Sequence, residues 1–123
     1  MIREFNGKKP QIASSAFVSE TAYIVGDVEI SENVNIWPGA VIRGDIAKMT
    51  IGKNTSIEDN CVVHSATGII IGDNTIVGHG AVLHCKKIGD NVLIGRRQIA
   101  ESILCGQYTI DTKTYRSYTF MYF

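Results

Sequence analysis

The sequence predicts an all-β chain wound as a parallel β-helix, and three observations carry that prediction. The first is a period of six. Branched aliphatic residues fall at Ile12, Val18, Ile24, Ile30, Ile36 and Ile42, then at Ile51, Ile57 and Val63, then at Ile71, Val77 and Leu83, and last at Ile88 and Ile94. The second is a smaller slot two positions ahead of most of these, filled by Ala16, Ala22, Val28, Val34, Ala40, Thr55, Cys61, Thr75, Ala81 and Val92. The third is the recurring corner in Ile51-Gly52-Lys53-Asn54, Ile71-Gly72-Asp73-Asn74 and Ile88-Gly89-Asp90-Asn91. Gly and Asn tolerate the positive φ that a tight corner demands.

A period of six with one large and one small inward residue describes a short strand plus a corner. Three such units close a triangular coil, and coils stacked at about 4.8 Å bring equivalent residues into inward ladders. A sandwich of short strands would instead alternate with period two. Residues 1–11 form a lead-in, residues 12–95 the hexapeptide-repeat β-helix, and residues 96–123 an irregular tail.

The register then places the three histidines, which all lie within 64–84. His64 follows Val63 by one and His84 follows Leu83 by one, so they are stacked on the same face of successive coils. His79 lies two after Val77, on the preceding face and near a corner. Three neutral imidazoles with an open position make a zinc sphere suited to catalysis. One prism cannot easily gather them, whereas a ring of prisms can, with a neighbour supplying His79. A head-to-tail contact of this kind closes into a ring, which points to a homotrimer with metal at its subunit boundaries.

Composition narrows the function classes. Twelve basic and twelve acidic residues cancel, so no net field attracts nucleic acid or an anionic membrane. The first nine residues lack the apolar run of a signal peptide, and no stretch approaches the ~20 apolar residues of a membrane helix. A cytoplasmic protein is expected. The odd set Cys61, Cys85 and Cys105 offers no disulfide framework. Cys61 reads as inward packing. Cys85, directly after His84, reads as a small buried residue, with metal ligation the alternative.

The segments Arg43-Gly44-Asp45, 51–64 (from Ile51-Gly52 to Val63-His64) and 77–84 (Val77-Gly78-His79-Gly80-Ala81-Val82-Leu83-His84) resemble the γ-class carbonic anhydrase family. The resemblance runs from Ile12 to about Gly95. It implies a left-handed β-helix homotrimer, although the usual crossover rule favours the right hand. It implies that His64, His79 and His84 ligate Zn2+, with Fe2+ or Co2+ as substitutes, two from one subunit and one from its neighbour. It implies that Arg43, Asp45 and Asp59 form ion pairs at the subunit boundary. The implied reaction is reversible hydration of carbon dioxide to bicarbonate, since zinc brings the pKa of bound water from ~15.7 to ~7 and so supplies hydroxide at neutral pH.

The chain departs from that family pattern in three respects. Glu58 stands where the family has a glutamine that orients the bound water, and a carboxylate there either tunes that water or acts as a base. Ile46 and the segment Ser65-Ala66-Thr67-Gly68 stand where its best-characterised type has proton-shuttling acids, so turnover should be slow. The six-residue repeat stops after Gly95, and residues 107–123 hold four of the five tyrosines. The tail 96–123 reads either as an out-of-frame ending or as a divergent last coil with a strand capping the open edge. Two other functions fit the repeat: a hexapeptide-repeat acyltransferase with one histidine as general base, and a non-catalytic trimer stapled by metal.

Overall fold

A computed structural model describes residues 1–101 and 104–105. Every strand pairing among them is parallel. The chain winds as a β-helix of about five turns with three faces. The first face stacks Phe17–Val18, Asn35–Ile36, Ser56–Ile57, Ile76–Val77 and Leu93–Ile94. The second stacks Ile2–Arg3, the start of Tyr23–Ile30, the start of Val41–Ile51, Val62–Val63, Val82–Leu83 and Ile99–Ala100. The third stacks Gln11–Ile12, the ends of the same two long strands, Ile69–Ile71, Lys87–Ile88 and Leu104–Cys105.

The inward ladder is the one the period dictates. Ile24, Ile30, Ile36, Ile42, Ile51, Ile57, Val63, Ile71, Val77, Leu83, Ile88 and Ile94 are buried, with Ala22, Ala40, Cys61 and Ala81 in the smaller slots. Burying an aliphatic side chain contributes about 1.5–3 kcal/mol, so this column is the principal source of stability. Two polar residues in the column are satisfied. Thr75 Oγ1 donates to the Gly89 carbonyl at 3.0 Å and accepts from the Val92 N–H at 3.3 Å, while Thr75 N–H donates to Thr55 Oγ1 at 3.1 Å. Thr75→Val keeps the shape but orphans a buried N–H and a carbonyl. It is expected to cost about 1–3 kcal/mol, read as a lower urea midpoint.

The corners explain the Asn and Gly signature. Asn33, Asn54, Asn74 and Asn91 hold φ values of 57°, 56°, 54° and 57° on the corner between the third and first faces. Their amides form a ladder, Asn33 Nδ2 donating to Asn54 Oδ1 and Asn54 Nδ2 to Asn74 Oδ1, each at 3.2 Å. On the corner between the first and second faces, the same left-handed position is held by Gly39, Asn60, Gly80 and Arg97.

Pairing extends beyond the 12–95 span at both ends. Ile2 pairs with Ile24, so the lead-in supplies a strand below the first coil. Val82 pairs with Ile99, Leu83 with Ala100, and Lys87 with Leu104, so coil geometry persists past Gly95. The tyrosine-rich stretch 107–123 lies outside the described residues. Among those described, no helix is long and apolar enough to cross a membrane.

Candidate metal centre

The site begins where the register skips after Ile42. Tyr23–Ile30 and Val41–Ile51 pair in step until Gly26 faces Gly44, then resume with Val28 opposite Met49. Residues 45–48, four against the single Asp27, bulge from the corner between the second and third faces, and Ile46 is 66% exposed. The backbones meet so closely here that a Cβ on Gly44 would lie 2.2 Å from the Asp27 carbonyl oxygen. A Cβ on Gly26 would lie 2.4 Å from the Gly44 oxygen.

The bulge turns Asp45 onto the next coil. Asp45 Oδ1 lies 2.9 Å from His64 Nε2, and Oδ2 accepts from the Arg43 guanidinium at 2.9 Å. Burial alone would raise the Asp45 carboxyl. The charge of Arg43, a backbone donor and His64 together outweigh that and hold it below the ordinary carboxylate value. A carboxylate on Nε2 of a neutral imidazole fixes the proton there and leaves the lone pair on Nδ1.

His84 stands one coil above His64, because Val62 pairs with Val82 and Val63 with Leu83. The two ring centroids are 6.2 Å apart and the planes are tilted by 48°. Backbone bonds lock both positions: His64 N–H donates to the Leu83 carbonyl at 3.1 Å, and His84 N–H to the Ala100 carbonyl at 2.8 Å. The stacked pair expected from the register is present.

His79 occupies the corner between the first and second faces, with the second face separating it from that pair. Its backbone N–H donates to Glu58 Oε2 at 3.0 Å. Its Nδ1 lies 3.3 Å from the same oxygen and 3.1 Å from Asp59 Oδ2. With Nδ1–H donating to these carboxylates, Nε2 carries the lone pair. The side chain is 54% exposed against 16% for His64, and His84 is exposed as well.

These donors suit a borderline metal such as zinc: three imidazoles, each of the two with a visible partner oriented by a carboxylate. Within one chain they do not converge. No three His, Cys, Asp or Glu side chains among the described residues group as a metal site. The donor chemistry fits a metal, while the three imidazoles stand on two different corners of the one chain.

Glu58 and Asp59 both hold His79 of their own chain, a local role that spacing alone did not reveal. Cys61 is fully buried, with Sγ 3.1 Å from the Gly78 carbonyl oxygen, and burial pushes its thiol up. Cys85 lies in the aliphatic core, whereas the adjacent His84 is exposed. The coil step that sets Glu101 after Ala100, as His84 is set after Leu83, is not evident from the sequence. The signal was the six-residue step from Ile94, disguised because Ala100 is small.

The chain is 44% identical over 101 residues to a carbonic anhydrase of Geobacillus kaustophilus, a match covering 80% of this chain and 56% of the other. It is 41% identical over 96 residues to the mitochondrial gamma carbonic anhydrase 1 of Arabidopsis thaliana, covering 72% and 35%. A solved hexapeptide transferase family protein from Anaplasma phagocytophilum superposes with a TM-score of 0.75 at 28% identity, covering 85% of this chain and 75% of that one. No family model matches. The chain thus spans just over half of the first relative's length and about a third of the second's.

Proposed function

The chain belongs to the γ-class carbonic anhydrase family, and from that premise we propose that it hydrates carbon dioxide reversibly to bicarbonate at a metal shared between neighbouring subunits. One observation carries the reading: His64 and His84 stack on one corner of the prism, while His79 is held outward on another. A second chain that brings its own His79 to the His64–His84 pair would supply all three ligands to one ion.

In the proposed homotrimer, His64 and His84 of one chain and His79 of its neighbour hold Zn2+, with Fe2+ or Co2+ as substitutes. When bound, such an ion supplies a Lewis acid that activates water near neutral pH. The chain's own residues do the positioning. Arg43 pins Asp45, and Asp45 keeps the Nε2 proton on His64. Glu58 and Asp59 keep the Nδ1 proton on His79 and fix the corner that presents it. Asp59 and Arg43 also stand on the two corners that meet in the ring. Ile46, exposed at the tip of its bulge, has no proton to relay, so the reaction's proton leaves directly to solvent and buffer. Turnover is correspondingly slow.

The structural likeness to a hexapeptide transferase family protein supports a second reading, acyl transfer with one of these histidines as general base. That chemistry needs one imidazole rather than three, and a rise in melting temperature with coenzyme A would favour it.

Metal content per chain, measured by elemental mass spectrometry on the oligomeric fraction, tests the main reading. About one zinc, iron or cobalt per chain is expected at three-ligand sites shared one per boundary. His79→Ala is expected to lose nearly all of it while the prism stays folded. A folded, metal-supplied protein that holds none would sink the reading and leave a non-catalytic trimer as the better account.

A further inference from the structure

We propose that Arg96 of one subunit pairs with Glu101 of the next, a charge clasp one coil above the histidines that sets the register of the ring. The inference rests on the shared-site reading above, and its occupant is a second copy of this chain.

Register on the two corners gives the argument. Ile36 pairs with Ile57, Ile57 with Val77 and Val77 with Ile94. The residues two beyond each, Pro38, Asp59, His79 and Arg96, therefore rise in a column on the corner between the first and second faces. Ile42 pairs with Val63, Val63 with Leu83 and Leu83 with Ala100. The residues one beyond each, Arg43, His64, His84 and Glu101, rise on the corner between the second and third faces. Read upward, one column runs acid, histidine, base. The other runs base, histidine, histidine, acid.

The two columns are complementary at matching heights. In a ring whose threefold axis parallels the prisms, identical residues lie at the same level. The chain climbs about a third of a coil in crossing one of three faces, so each residue of the first column falls between two of the second. His79 then lies between His64 and His84 of the neighbour. One coil lower, Asp59 lies between Arg43 and His64. One coil higher, Arg96 lies between His84 and Glu101. Opposite charges thus flank the histidines above and below, with their order reversed. A slip of one coil would place Arg96 level with the histidines and leave Glu101 without its cation.

The surface between the columns suits the inside of such a ring. Val41, Val62 and Val82 form a half-buried outward column on the second face, continued by Ile99 at 54% exposure. Arg96 and Glu101 are both exposed. Neither makes an ion pair among the described residues, so both charges are available to a neighbour.

The test is a charge swap on the full, metal-supplied chain, read by sedimentation across a dilution series. Arg96→Glu and Glu101→Arg each place like charges across the boundary. Each is expected to raise the concentration at which the trimer dissociates about tenfold or more. The double swap should restore the original value, and high salt should shrink the difference. Circular dichroism checks folding, and Arg96→Gln with Glu101→Gln stands in if a reversal unfolds the chain. A metal-loaded trimer indifferent to both single reversals, or a double swap no better than either, overturns the clasp alone. A protein that stays monomeric at every concentration overturns the shared site and the clasp together.

Discussion

Refolding an equal mixture of His79→Ala chains and His64→Ala/His84→Ala chains is expected to recover metal that neither variant holds by itself. The reason is geometric. His79 sits on one corner of the prism and the His64–His84 pair on another, so a shared site draws its ligands from two chains. In randomly mixed trimers, about one boundary in four joins an intact His79 to an intact His64–His84 pair, which sets the recovery at roughly a quarter of an ion per chain. Elemental analysis of the refolded trimer fraction reads it directly. A site assembled within one chain would leave the mixture as empty as its components.

Gly44→Ala is expected to be the most damaging single methyl that can be added to this chain. The new Cβ would sit 2.2 Å from the Asp27 carbonyl oxygen and 2.6 Å from its carbon, both backbone atoms flanked by the pairs Gly26–Gly44 and Val28–Met49. No flexible side-chain end is there to move aside. Separating the strands at this point costs about 3 kcal/mol or more, a fall in melting temperature on the order of 10 °C or more. Because Gly44 lies between Arg43 and Asp45, the same displacement pulls Asp45 from His64, and bound metal should fall with stability. Gly7→Ala is the control. Its Cβ meets nothing within 4 Å, and only its φ of 75° is unfavourable, a cost of about 1–2 kcal/mol. Melting temperatures of the two variants within a few degrees of each other would refute the backbone-clash argument.

Much of this architecture was legible in the residues because the β-helix repeats its environment at every coil. An inward slot that accepts only branched aliphatics writes Ile, Val or Leu every six positions, and a left-handed corner writes Asn or Gly. Stacking of His64 on His84 followed from that register without any coordinates. Departures from the rule were harder to read. Ala100 fills an aliphatic slot with a small residue, so the coil continuing past Gly95 looked like an ending. Arg97 holds a left-handed corner that its neighbours assign to Gly or Asn, which hid the same continuation. The skip after Ile42 located a bulge but not its direction, and direction is what brings Asp45 to His64. Glu58 also holds His79 from the coil below, a contact that spacing alone does not give.

Tyr23–Ile30 and Val41–Ile51 pass from the second face to the third without breaking, and pair along most of their length. Nearly all other rungs are two residues long. This has a consequence for the order in which the molecule assembles. A short rung returns little for the entropy of closing a coil, whereas this pair rewards a similar closure several times over. It is the natural nucleus, onto which further coils zip one after another, each requiring only the coil beneath it. The coils bearing His64, His79 and His84 come later, and the ring that would unite the ligands comes last. On the proposed shared site, maturation would run from nucleus to prism to ring, with metal capture as its final step.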